Sequence, residues 1–164
     1  LEFKLSLFNN ALIQKQAVSE IIKCNDVTSR FGLALTENQA KALVQTRTTA
    51  LNENGRIEFG SGIINKIIYE FCDSPYISER NYEKTLHELI EIFYYYKNET
   101  LDLISDEDLI KYMKKAFDGV CKGSLELLSG RELYNLAHNL RCGYPIDYTD
   151  NPNNDDKEDE DEEY

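Results

Sequence analysis

Tryptophan is absent from this 164-residue chain, methionine occurs once, and histidine occurs twice. No apolar run approaches the ~18 residues that a membrane-spanning helix needs. Two histidines limit the supply of transition-metal ligands, and no cofactor motif stands in for them. Cys24, Cys72, Cys121 and Cys142 lie far apart, with no C-x-x-C pair and no clustered framework, in a chain large enough to fold without staples. They read as reduced thiols of a cytoplasmic protein. No basic segment followed by an apolar core resembles a signal peptide, and the first residue, Leu1, implies a trimmed or replaced N-terminus. Basic residues are also scarce: 18 against 30 acids give a net charge of -12 and a pI near 4.6. That balance repels phosphate backbones and anionic headgroups, so neither nucleic acid nor a membrane surface is the expected partner.

What is present is an ordinary globular content, 41% hydrophobic and 29% charged, at a length that suits one domain. The charge is unevenly placed. Residues 145–164 hold ten acids and Lys157, for -9, whereas residues 1–144 carry only -3. The last segment has almost no apolar content to offset its ordering entropy, so we expect a helical domain over 1–144 and a disordered acidic tail over 145–164. Such a tail solubilises the chain or docks onto a basic partner.

Periodicity in the body is helical. Asn10 caps a first stripe of Ala11, Leu12, Ala17, Val18, Ile21 and Ile22 that ends near Cys24. Thr36 and Gln39 form a capping box before Ala40, Leu43, Val44 and Leu51, and Asn54-Gly55 ends that helix. Ser61 caps a third helix through Ile63, Ile64, Ile67, Ile68 and Phe71, stopped at Ser74-Pro75. The longest helix is predicted from Ser78 to Asn98. Ser105 with Asp108 opens the fifth, ended by Gly119 and Gly123, and Ser129 with Glu132 opens the last, ended at Gly143. Only Arg56 to Phe59 reads as extended. The fold class is therefore all-α, a single-domain bundle of about six helices.

The stretches GRIEFGSGI, FCDSPYI, NYEKTL, IFYYYKNE and AFDGVCKGSLELLSG, in this order, resemble a family of uncharacterised helical proteins from Gram-positive bacteria, classed as a domain of unknown function. The likeness runs from about Ile21 to Leu136. It implies a bacterial cytoplasmic protein, and it supplies no activity and no catalytic residue.

Candidate sites follow from residue chemistry. The Asp118 to Ser129 stretch has the outline of a calcium loop with Gly123 at its sixth position, but Val120, Lys122 and Ser129 stand where oxygen ligands belong, so calcium is excluded. His138 with Cys142, and Glu83 with His87 and Glu91, share helix faces without completing a four-ligand site, so no metal is expected. No local signature pairs a cysteine or serine with a base, and the cysteines read as structural. Gly60-Ser61-Gly62 precedes a helix start whose free N–H groups suit an anion, with Arg56 and Lys66 nearby. Arg47 lies on the apolar stripe of its helix, so it must snorkel or meet a carboxylate, for which Glu58 and Asp73 are the candidates. Asp73 also stands at a helix end, where the dipole disfavours an anion without a compensating cation.

The aromatic signal is the strongest. LIEIFYYY, Leu89 to Tyr96, has apolar side chains around the helix rather than along one stripe. Either this is the central helix of the bundle, or Ile92 and Tyr95 extend onto a partner surface, a setting that suits tyrosine. The preferred reading is a non-catalytic interaction module that binds a protein partner or itself through the aromatic end of the long helix. Its rival is a small enzyme or ligand-binding protein with a pocket around Arg47, Arg56, Glu58, Asp73 and Tyr76. A third reading is an acidic decoy for a basic nucleic-acid-binding protein. No cofactor is expected in any of them.

Overall fold

The computed structural model describes residues 2–58 and 62–144, with residues 2–10 as backbone alone. Among the described residues there is no strand, and six helices reach nine residues or more: α1 (Glu2–Lys23), α3 (Glu37–Glu53), α4 (Ile63–Phe71), α5 (Tyr82–Glu99), α6 (Asp106–Asp118) and α8 (Leu133–Cys142). Two short pieces join them, α2 (Asn25–Thr28), which runs into a 3-10 turn, and α7 (Leu125–Leu127), which runs into a π-helical turn over Leu128–Glu132. The all-α bundle of about six helices is thus the observed fold. The segment expected to be a disordered tail and the cap at Ser61 lie outside the described residues.

Local chemistry explains most boundaries. At Thr36 both halves of the capping box form, with Gln39 N–H donating to Thr36 Oγ1 at 3.1 Å and Thr36 N–H to Gln39 Oε1 at 2.8 Å. Ser105 Oγ accepts from Asp108 N–H at 3.2 Å, and Asp106, Glu107 and Asp108 fill the first turn of α6 where the dipole favours anions. Three boundaries depart from expectation. α1 begins at Glu2 rather than at Asn10, which continues the helix at a modest cost in propensity instead of capping it. α5 begins at Tyr82, four residues after Ser78, since Asn81 Oδ1 accepts from Ser78 N–H and holds those residues in a turn. Ser129 does not cap α8. Ser124 caps the helix upstream through Leu127 N–H at 3.2 Å, and the chain passes Ser129 in a π turn without interruption.

Cross-helix bonds set the layout. Gln39 meets Glu83, Thr46 meets His87, and Asn54 meets Asn98, so α3 and α5 run parallel. Lys66 meets Glu107, Asp73 meets Lys114, and Ser74 meets Asp118, so α4 and α6 run parallel as well. α5 packs against α3, α4, α6 and α8 together. Its Leu86, Leu89, Ile90, Phe93, Tyr94 and Tyr96 are all buried, so the apolar girdle belongs to the central helix. Ile63, Ile64, Ile67, Ile68 and Phe71 of α4 are buried too, each contributing about 2 kcal/mol by transfer bookkeeping.

The turn after α6 is tightly packed. Phe117 meets Phe71 at 5.6 Å and Tyr76 at 6.2 Å, both edge to face. Gly123 adopts φ +82°, and a Cβ there would lie 2.6 Å from the Tyr76 side chain. Gly123→Ala should therefore cost about 2 kcal/mol in urea denaturation, from left-handed strain and overpacking. Pairing it with Tyr76→Ala should give a combined loss smaller than the sum of the two, because the ring's part of the clash is removed while the contact with the Tyr76 Cβ stays.

Candidate functional site

Two regions collect the residues singled out above. The first is the connection from α3 to α4. Glu58 places its carboxylate over the N-terminus of α4, accepting from Ile63 N–H at 2.7 Å through Oε1 and from the Tyr94 hydroxyl through Oε2. Gly62 makes this approach possible: at φ +47° it leaves open the space where a Cβ would lie 1.6 Å from Glu58 Oε1. The anion suited to this helix start is therefore supplied by the chain itself. Arg47, 4% exposed, brings Nη1 to 4.0 Å from Glu58 Oε1, so the cation on the apolar stripe meets one of its two expected carboxylates. Burial, with the neighbouring Glu58 carboxylate second, pushes the Tyr94 phenol well up and keeps it a proton donor.

Arg56 completes this latch from the loop. Its Nε donates to Asn98 Oδ1 at 2.6 Å and its Nη2 to Asp102 Oδ2 at 2.7 Å, which holds the Asp102 carboxyl below its usual range. Leu101 and Asp102 both sit at φ +56°, a costly conformation for such side chains, and the Arg56 bond helps to hold it. Lys97, buried, donates to the Ile104 carbonyl and meets Asp106 at 2.8 Å. Arg56, Glu58, Lys97 and Asp106, with Leu51, Ile57, Phe93 and Tyr94, line a cleft of about 400 Å³. Every charge on this cleft already has a partner inside the protein.

Asp73 and Tyr76 stand elsewhere. Asp73 is not a partner of Arg47 in this fold: α4 carries it to α6, where Lys114 pairs with it at 2.7 Å and also with Asp118, 2.8 Å from the same ammonium. That cation compensates the charge at the helix end. Tyr76 packs on Phe117. The pocket expected to join Arg47, Arg56, Glu58, Asp73 and Tyr76 thus loses its last two members, because consecutive helix ends of α4 and α5 face different neighbours.

The second region is a groove of about 500 Å³ lined by Ala50, Glu53 and Asn54 of α3 and its end, Glu91, Ile92 and Tyr95 of α5, and Ser129 of the π turn. Tyr95 is 53% exposed and stacks edge to face on Tyr96 at 5.0 Å. Tyr96 points inward and donates its hydroxyl to the Ser129 carbonyl, which satisfies an acceptor at the π turn and seats that turn against α5. Glu53 and Glu91 make no ion pair or side-chain hydrogen bond among the described residues. Glu53 was not singled out in the sequence and Ser129 only as a helix cap and a failed calcium position, since only the tertiary packing of α3 and the π turn on α5 brings them beside Ile92 and Tyr95.

Other chemistry is limited. Gln39, Glu83, His87 and Thr46 form a chain along the α3–α5 seam, with His87 Nδ1 2.6 Å from Thr46 Oγ1 and Nε2 3.3 Å from Glu83 Oε1. Thr46 lies inside α3, where neighbouring amides are committed to helical bonds and leave no oxyanion donors, so the chain joins two helices. Cys24, Cys72 and Cys121 are buried, and burial raises all three thiols, which keeps them protonated and poorly nucleophilic. Cys142 is exposed, with Sγ 3.7 Å from His138 Nε2. Among the described residues no group of three His, Cys, Asp or Glu side chains is placed to hold a metal ion, and no helix is long and apolar enough to cross a membrane.

Residues 20–146 match the model of a family described as a family of unknown function, DUF6323. The chain belongs to this family. The match spans α2 to α8 and so includes both the latch and the groove. No curated protein and no solved structure matches the chain.

Two outcomes follow for the latch of this DUF6323 member. Gly62→Ala should cost more than about 2 kcal/mol, since it combines left-handed strain with eviction of the Glu58 carboxylate; Glu107→Gln, a surface change, should cost about 0.5 kcal/mol. Urea midpoints at constant slope check this. Asp102 and Glu107 both have depressed pKa values, from Arg56 and Lys66 respectively. Their contributions are present above pH ~4.5 and are lost as pH falls through the folded values, so thermal melts should hold from pH 7 to 5 and drop below about pH 4.

Proposed function

We propose that this protein is a non-catalytic binding module that takes a segment of a partner protein into the groove of Ala50, Glu53, Asn54, Glu91, Ile92, Tyr95 and Ser129. One observation carries the reading. α5 is enclosed by its neighbours along most of its apolar circumference, and it opens outward where Ile92 and the half-exposed Tyr95 meet a concave surface with two carboxylates unpaired among the described residues. A half-wet tyrosine beside an aliphatic side chain in a groove suits an interface anchor. The π turn at its edge supports the same reading, because such turns recur at functional positions.

A second reading attaches to the cleft of Arg56, Glu58, Lys97 and Asp106, whose mixed charges over an apolar floor of Leu51 and Phe93 suit a small zwitterionic ligand. Such a ligand would have to displace an existing ion pair, which places this reading behind the first.

The two are separated by a pair of variants. Tyr95→Ala should lower stability by less than about 1.5 kcal/mol, the size of an edge-to-face aromatic pair, while weakening partner binding by more than about 2 kcal/mol, roughly thirtyfold. Ile57→Asp, which adds a charge at the exposed rim of the cleft, should leave binding unchanged if the groove is the site. Surface plasmon resonance against the captured partner gives both values, and equal affinity of Tyr95→Ala and wild type would remove the groove from consideration.

A further inference from the structure

The charge around the groove defines the chemistry of what fills it. In the cleft beside the start of α4 the acidic side chains are answered, Glu58 by Tyr94 and Ile63 N–H and Asp106 by Lys97, and the cations Arg56 and Lys97 line that cleft with them. The groove differs. It carries Glu53 and Glu91 and no cation, and neither carboxylate has a partner among the described residues. The Asn54 amide and the Ser129 carbonyl are committed. Asn54 Nδ2 donates to the Ala50 carbonyl at 2.7 Å, Asn54 Oδ1 accepts from Asn98 at 3.0 Å, and the Ser129 carbonyl takes the Tyr96 hydroxyl. Arg131, the cation of the adjacent π turn, is bonded to Glu132 at 2.9 Å.

We infer that the occupant is a basic amphipathic segment of another protein, presenting one or two arginine or lysine side chains to Glu53 and Glu91 and an apolar side chain to Ile92 and Tyr95. The inference rests on the groove being the binding surface. A basic occupant gains charge-assisted hydrogen bonds as it excludes water, whereas a neutral or acidic one would strand two carboxylates in a desolvated site. The exposed face of Tyr95 adds a cation–π position, since Tyr96 meets it edge to face. Span agrees with this. Ala50 to Asn54 and Glu91 to Tyr95 each cover about one helical turn, ~6 Å, which suits two or three side chains of a partner. The same charges count against the two internal candidates. A second copy paired across a two-fold axis at this groove would set Glu53 and Glu91 against their own equivalents. The segment 145–164, with a charge of -9, is repelled.

The test uses the full chain and two fluorescein-labelled 15-residue helical peptides, one of leucine and lysine and one of leucine and glutamate in the same pattern, read by fluorescence anisotropy at physiological salt. The Leu/Lys peptide should bind and the Leu/Glu peptide should not. Glu53→Gln with Glu91→Gln should weaken the Leu/Lys peptide at least tenfold and flatten its salt dependence, with an unchanged circular-dichroism melt, and Tyr95→Ala should weaken it as well. If Tyr95→Ala weakens binding and the double glutamine variant does not, the groove stands and the basic occupant is overturned. If neither variant changes binding, the peptide sits elsewhere on this acidic chain and both readings fall. Failure of the Leu/Lys peptide to bind, or binding of the Leu/Glu peptide with equal affinity, also overturns the inference.

Discussion

Burial of α5 on nearly every side is the constraint from which the other features of this molecule follow. A helix with apolar side chains over most of its circumference cannot lie on a surface, so α3, α4, α6 and α8 must all reach it. Its polar and amphipathic side chains are then forced to find partners inward. Tyr94 reaches Glu58, Tyr96 reaches the Ser129 carbonyl, Lys97 reaches Ile104 and Asp106, and Asn98 reaches Asn54 and Arg56. Each of these bonds ends on a loop, a turn or a helix end, so the central helix anchors the connections as well as the core.

The Glu58 latch shows how closely function-like and structural arrangements resemble each other. A buried arginine, a carboxylate, a raised phenol and a strained backbone lie within one region, which is how many active sites are recognised. Here the carboxylate caps α4, the phenol and arginine satisfy the carboxylate, and Arg56 holds the strained end of α5. Arg56, Glu58 and Tyr94 each find a partner within the protein. The groove at Ile92 and Tyr95 is the converse, simple in chemistry and incomplete in its pairing, and for that reason it is the better candidate for a partner.

Much of the architecture was legible from residue pattern. The capping box at Thr36, the cap at Ser105, the five apolar residues of α4 and the apolar girdle of α5 each reported a local preference that the tertiary fold respects. The start of α8 was not legible. Ser129 and Glu132 have the spacing of a cap, but Ser124 lies upstream with an equal claim, and the choice depends on Tyr96 pulling the Ser129 carbonyl toward α5. Asp73 was misplaced in the same way. Its need for a cation was evident from its helix end, whereas the identity of that cation, Lys114, depends on α4 lying parallel to α6.

The sequence by itself determined which segments are helical, which face of each is apolar, and that Arg47 and Asp73 need counter-charges, because those properties rest on spacing within a few residues. The tertiary structure alone decided that α3 lies parallel to α5 and α4 to α6. It thereby decided that Arg47 meets Glu58, and that Glu53 and Ser129 stand beside Ile92 and Tyr95. The physical reason is that the helix partners lie roughly forty residues apart, and Arg47 and Glu58 lie on opposite sides of a helix end, joined by no local periodicity, so that they become neighbours only when several apolar faces are buried at once around a single helix.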